Sequence, residues 1–295
     1  MNLQEKVLQL KLEGAIAIRH AQWWEKQAKI HGWAKTEAFY SQKLGLNHIE
    51  RKGVEFDGLH LSREPKEHEK IAVKGVAMAQ ESGKSQITSL LLGLRSDLIS
   101  DGLKGIATLS PANYHELVLQ VSSEHRRSLR DRLINIYRGG RRLVAAELGG
   151  ERKQEDEEFD ELDELTDVTD ARVSNDVQAR IIAAAARFTL LGLLGAASLD
   201  AIRGEVEMGS VSYIDRTATG LANRTLSIGR ADEADERRDD WERVEYSAIL
   251  DQNVCGPCAS EDGQEAANEA DLQPAPNPEC EGGDWCRCFH VFVRA

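Results

Sequence analysis

Tyr246-Ser-Ala-Ile-Leu-Asp251-Gln-Asn-Val-Cys255-Gly-Pro-Cys258, continued by Pro274-Ala-Pro-Asn-Pro-Glu-Cys280 and Trp285-Cys286-Arg-Cys288, contains all five cysteines of a 295-residue chain. A C-x-x-C turn aims two thiolates at one point, and a tetrahedral zinc site then needs two more ligands. Cys280, Cys286 and Cys288 are the three candidates, with Cys280 and Cys286 the first choice. The intervening segment is rich in Gly, Pro, Asn and Asp, the composition of a loop that folds around an ion and not around a core. Val244, Tyr246, Ala248 and Leu250 alternate along one side of a first β-prone run, and Phe289-His290-Val291-Phe292-Val293 forms a second. Two short strands are therefore expected to flank a structural Zn2+ site.

The odd cysteine count and the absence of a secretory signal at Met1-Asn-Leu-Gln-Glu-Lys argue against a disulfide framework, and scattered core thiols would not crowd into one segment. A thioredoxin-like pair is set aside because no helical period is visible after Gly256-Pro257.

The order of a strand, Asp251, C-x-x-C, Asp262-Gly263, a Pro-rich loop, Cys286-Arg287-Cys288 and a final strand resembles the C-terminal signature of phage head-morphogenesis proteins, the Mu F-like minor head proteins of tailed bacteriophages. That family closes on His-x-x-Cys-Arg-Cys. Here no histidine precedes the Cys-Arg-Cys, and Cys280 with a longer spacer stands in its place, so which four of the five thiolates bind stays open. The resemblance is specific over residues 244–293, weaker over 175–243 and nearly absent before. It implies a virion component associated with the portal or the major capsid protein, in the capsid interior or portal region. Such a protein acts in head assembly or DNA delivery, with host cytoplasm as its location during assembly.

Outside the tail, 41% hydrophobic content with only 5% aromatics, and plentiful Ala, Leu, Glu and Arg, favour helices. The expected class is mainly α: a helical N-terminal region and a helical middle region, then a small α+β zinc-binding unit. Leu3, Val7, Leu10, Gly14, Ala17, Ala21, Trp24 and Ala28 keep a 4-3 spacing that predicts an amphipathic helix over 2–31. Residues 45–65 read as a loop or short hairpin. A helical pattern from about Glu67 to Leu109 is expected to break at Gly83 and Gly102. Ser110-Pro111 starts another helix.

Seven arginines fall within residues 126–142, and ten acidic residues without one basic fall within 155–170. Residues 1–150 carry 23 Lys+Arg against 17 Asp+Glu, a formal +6, whereas 151–295 carry 14 against 33, a formal −19. The arginine stretch reads as a solvated helix face paired to Glu124 and Asp131. Alternatively, Arg126, Arg127 and Arg130 contact packaged DNA, although a chain of net charge −13 is a poor general DNA coat. The acidic run reads as an exposed linker. The expected organisation is a helical domain over 1–150, an acidic linker over 151–176, and a domain over 177–295 with its zinc unit at 244–293. Within the last, a helix capped at Ser174-Asn175-Asp176 ends near Gly204 or Gly209, and another covers 212–228. The apolar run from Ile181 to Leu199 contains Arg187 and many alanines, so a buried helix is expected and no membrane contact.

Catalytic patterns are missing. Ser82-Gly83-Lys84-Ser85 has Met78 where a P-loop needs its first glycine, and no Gly-x-Ser-x-Gly, His-Glu-x-x-His or dinucleotide glycine pattern occurs. The deaminase signature fails because Glu67-His68-Glu69 has no residue between His and Glu and precedes no P-C-x-x-C. The chain is therefore expected not to be an enzyme and to take no small-molecule substrate. The rival readings are a metal-dependent hydrolase or nuclease with an open zinc position, and a DNA-binding protein using Arg126 to Arg142.

Overall fold

Asp57-Gly58 supplies two consecutive residues at positive φ, 50° and 80°, the backbone that a two-residue hairpin turn demands. It closes β1 (Val54–Phe56) on β2 (Leu59–Leu61), with Val54 opposite Leu61. The computed structural model describes residues 54–108, 111–150, 159–190, 196–250, 254–280 and 282–295. The 2–31 seam and residues 151–158 lie outside them.

Four long helices follow: α1 (Glu69–Thr108), α2 (Pro111–Glu147), α3 (Asp160–Leu190) and α4 (Ala196–Glu236). Their side-chain partners fix the directions. Gly75 faces Leu143 and Gly83 faces Ile136, so α1 and α2 run antiparallel. Lys84 meets Asp215, and Arg95 reaches the carbonyl of Glu207, so α1 and α4 also oppose. Arg187 pairs with Glu205, which sets α3 against α4. The result is an up-down-up-down bundle around Val76, Leu91, Leu98, Leu133, Val177, Ile202, Ile214 and Leu226, all buried.

Several helix boundaries differ from expectation for one reason: burial overrides the local cost of a glycine, roughly 1 kcal/mol in a helix interior. Gly83 and Gly102 lie inside α1, and Gly204 and Gly209 inside α4. A Cβ on Gly83 would stand 3.1 Å from Ile136 and 3.3 Å from Ala222, so this glycine admits close packing of α2 and α4 and belongs to no phosphate loop.

The acidic run needs the larger correction. Residues 160–170 are not an extended linker but the first turns of α3, and 174–176 lie in its interior. Leu162 and Leu165 are buried, while Asp163 and Asp167 receive Arg130 and Arg126 of α2. Asp160, Glu161 and Asp163 also sit at the helix N-terminus, where the macrodipole favours negative charge. The acidic and basic runs thus answer each other, and the bundle takes helices from both sides of the expected boundary.

The tail is a three-stranded antiparallel sheet in the order β4-β3-β5, formed by β3 (Trp241–Ser247), β4 (Glu265–Ala266) and β5 (Phe289–Arg294). Val244 lies opposite Phe292 and Tyr246 opposite His290. The two β-prone runs are therefore the two long strands. Residues 244–250 are buried without alternation, because both sides are covered. Ile249, Leu250, Phe289 and Val291 join the bundle core, while Val244, Tyr246, Ala248 and Phe292 pack with the cysteines. The fold is mainly α with a small strand-containing unit at its C-terminal end.

Candidate metal centre

Cys255 is the N-cap of a short helix, α5 (Gly256–Glu261), with Pro257 in the first turn, a position where its missing N–H removes no hydrogen bond. One helical turn therefore carries the sulfur of Cys258 back to that of Cys255. Sequence reasoning expects no helix here and uses that against a redox pair. The ground fails, since six residues are too few to display a hydrophobic period.

Cys280 arrives through a tight turn, its N–H on the Asn277 carbonyl at 3.1 Å and its own carbonyl accepting from Gly283 at 2.8 Å. Gly283 has φ +54°, a conformation that favours glycine. The following turn donates the Cys286 N–H to the Gly283 carbonyl at 3.0 Å and delivers Cys286 and Cys288 just before β5.

All five thiols converge. Cys255 Sγ lies 3.6 Å from Cys280 Sγ, and Cys258 Sγ lies 3.9 Å from Cys286 Sγ. These are not disulfides, whose sulfurs stand about 2.05 Å apart, and all five cysteines are free. They are the spacing of two ligands on one ion, because tetrahedral coordination at about 2.3 Å places sulfurs about 3.8 Å apart. Cys255, Cys258 and Cys280 form one group, and Cys258, Cys286 and Cys288 a second, with the sulfurs of each group within 4.8 Å of one another. The donor set is sulfur alone, the chemistry of a soft closed-shell cation. This cluster can hold a metal ion.

Burial is the main effect pushing the Cys280 thiol up to about 12. Hydrogen bonds from Cys258 and then Cys288 hold Cys286 down to about 2. A cation bound by these thiols would displace their protons. Tyr246, fully buried, places its hydroxyl 4.0 Å from Cys258 Sγ.

The surroundings fasten this loop to the bundle. Asn223 Nδ2 of α4 donates to the Cys286 carbonyl at 2.7 Å. Gln80 of α1 meets Arg287 Nε at 3.2 Å. Arg230 donates to the His290 carbonyl at 2.7 Å while its guanidinium grips Glu147 at 2.5 and 2.9 Å. His290 supplies no ligand, since its ring nitrogens meet Glu269 at 2.7 Å and the Gln273 carbonyl at 2.9 Å.

A second set of groups escapes sequence reasoning. Asp262, four residues beyond Cys258, accepts Arg63 Nε at 2.9 Å and the Ala248 N–H at 3.0 Å. Arg63 also forks onto Glu69 at 2.6 and 2.7 Å. Glu245 receives Lys66 at 2.5 Å and His68 at 2.9 Å. Glu69 and Glu245 are fully buried, so the hairpin connection is bound to the tail by charges that leave no local pattern in the sequence. The Asp-Gly pair at Asp262-Gly263 is the one signal that touches it.

The arginine stretch is not assembled into the site. Arg126 pairs with Asp167, Arg130 with Asp163, and buried Arg141 with Glu233 and Glu236, whereas Arg127 is exposed. The ion pairing expected of this face is present, and its partners include residues of α3 and α4. Among the described residues no helix is long and apolar enough to cross a membrane. No protein-family model matches the chain, and no curated protein or solved structure matches it either.

Proposed function

We propose that this chain is a structural, non-enzymatic minor head protein of a tailed bacteriophage, held at its C-terminal end by thiolate-bound zinc and associated with the portal or the capsid interior. One observation carries the reading: five cysteines spread over the signature come together against side chains of the two paired strands that the same signature includes. Zinc is favoured over other cations because cysteine thiolates are its usual ligands at structural sites. The strands of the tail are buried, but the loops that carry the thiols have little apolar content of their own, and an ion gives them stability that burial does not. Structural zinc contributes about 10–16 kcal/mol in small metal-dependent units.

Commitment of the thiols to an ion and of His290 to Glu269 favours an assembly role over hydrolysis. The arginines that would serve DNA are largely spent on α3 and α4, which disfavours the DNA-binding reading. Co-expression with the portal and major capsid proteins of its own genome tests the assignment. The chain is expected to sediment with assembled heads, and a chain that remains with free protein refutes it. Elemental analysis of protein purified without chelator is expected to find zinc, and its absence defeats the metal part.

A further inference from the structure

The five sulfurs do not form one tetrahedron. A single four-thiolate site has six sulfur–sulfur edges, all near about 3.8 Å. Among the described residues, no set of four cysteines lies mutually within 4.8 Å. The two sets that do are triangles, Cys255-Cys258-Cys280 and Cys258-Cys286-Cys288, and Cys258 is their common corner. The 3.6 Å contact is an edge of the first triangle and the 3.9 Å contact an edge of the second. Three sulfurs around one ion at about 2.3 Å stand about 4.0 Å apart, so either triangle encloses a cation of this size.

We propose that the cluster is a two-ion site, in which the Cys258 thiolate bridges one cation held with Cys255 and Cys280 and a second held with Cys286 and Cys288. The occupants are soft closed-shell cations such as Zn2+, Cd2+ or Cu+. This inference rests on the thiolate-metal reading above and extends it from one ion to two.

Charge favours the second ion. One divalent cation with four thiolates carries a formal charge of about −2 and leaves a fifth thiol beside it. Two divalent cations with five thiolates carry about −1, which is the less costly charge to bury. Cys258, Cys286 and Cys288 are each only 2% exposed, so excess charge on that side has little access to water. Cys255 and Cys280 are half-buried, and the ion they hold can complete its coordination from solvent. The inner ion sits among three buried thiols, with Tyr246 beside Cys258. The arrangement also gives Cys288 a ligand role, whereas a single tetrahedral site leaves one cysteine over.

The test is anaerobic titration of the reduced full-length chain with Cd2+, counted by native mass spectrometry and followed by 113Cd resonances. Two ions are expected per chain, with scalar coupling between two cadmium signals through the shared sulfur. Cys288→Ser and Cys280→Ser, each on the opposite triangle, are expected to reduce the count to one. A count of one in the unsubstituted chain overturns the two-ion inference and leaves the metal reading intact, and this outcome needs no variant to fold. Two ions retained in Cys288→Ser, or two uncoupled signals, overturn the bridge. A count of zero overturns both the inference and the metal reading.

Discussion

Gly139 and Gly140 are adjacent in α2, yet alanine at the two positions is expected to act in opposite directions. A Cβ on Gly139 meets nothing within 4 Å, whereas one on Gly140 would lie 2.3 Å from the Leu226 carbonyl oxygen and 3.2 Å from the Arg230 nitrogen. The notch is reciprocal, since a Cβ on Gly229 of α4 would lie 2.1 Å from the Tyr137 carbonyl oxygen. The two carbonyl contacts fall about 1 Å or more short of ordinary van der Waals separation. The obstructing atoms are backbone, so no side chain can swing aside and the two helices must part. Overpacking of this kind costs about 1–3 kcal/mol, and separation also loosens the packing on either side of the notch. Alanine returns about 1 kcal/mol of helix propensity at both positions. Gly139→Ala is therefore expected to stabilise by up to about 1 kcal/mol. Gly140→Ala is expected to destabilise by up to about 2 kcal/mol after the same gain is subtracted. Urea unfolding followed by far-ultraviolet circular dichroism, at fixed zinc, reads the difference between the two variants. A Gly140→Ala protein as stable as Gly139→Ala would refute the close approach of α2 and α4.

Other outcomes follow from the tail and the charge networks. Cys255→Ser is expected to lower metal affinity by at least tenfold and raise hydrogen exchange over residues 254–288 while the bundle keeps its helicity; unchanged exchange there would count against the clamp. Arg63→Ala leaves the fully buried Glu69 without its forked partner and is expected to cost about 3–5 kcal/mol, measured by denaturant midpoint. Burial alone would raise the Glu69 pKa, but hydrogen bonds from Arg63 and the Lys66 N–H outweigh it and the net shift is downward. A carboxylate lowered in the folded state adds stability above its unfolded pKa and loses it as pH falls through the folded one. Glu69→Gln should therefore flatten the acid limb of the stability profile below about pH 4.5, and an unchanged acid limb would contradict the assignment. Replacing Arg126 and Arg130 together by alanine removes exposed pairs worth at most about 1 kcal/mol each. The variant should show the same duplex-DNA retention as the parent at low salt, and a large loss of retention would restore the DNA-binding reading.

The parts legible in the sequence were those whose cause is local. Val244 and Tyr246 lie in β3 as their alternation predicted, whereas Ala248 and Leu250 fall beyond its end and Leu250 turns to the bundle core; the run at Phe289 predicted β5, and Asp57-Gly58 lay within the expected loop or hairpin. The cysteine spacing named every thiol of the cluster. The misread parts have partners far along the chain. Residues 160–170 resemble a linker only until Arg126 and Arg130 stand beside them, because repulsion among carboxylates vanishes when guanidinium groups of another helix face them. Gly83 and Gly204 look like helix breakers until tertiary burial is counted. Arg63, Glu69, Glu245 and Asp262 belong to three separate segments, and no window of sequence contains them all. The shared corner at Cys258 is a matter of distances, which spacing along the chain does not encode.

The placement of β3 also bears on how this protein is made. Ile249, Leu250, Phe289 and Val291 complete a core that otherwise belongs to helices translated earlier. Until the segment that carries β3 and β5 has been translated, the bundle therefore has an uncovered apolar side, the kind of surface on which chains aggregate or recruit chaperones. Closure of that side coincides with arrival of the thiols, so an ion taken up by them would bind in the same event that completes the hydrophobic interior.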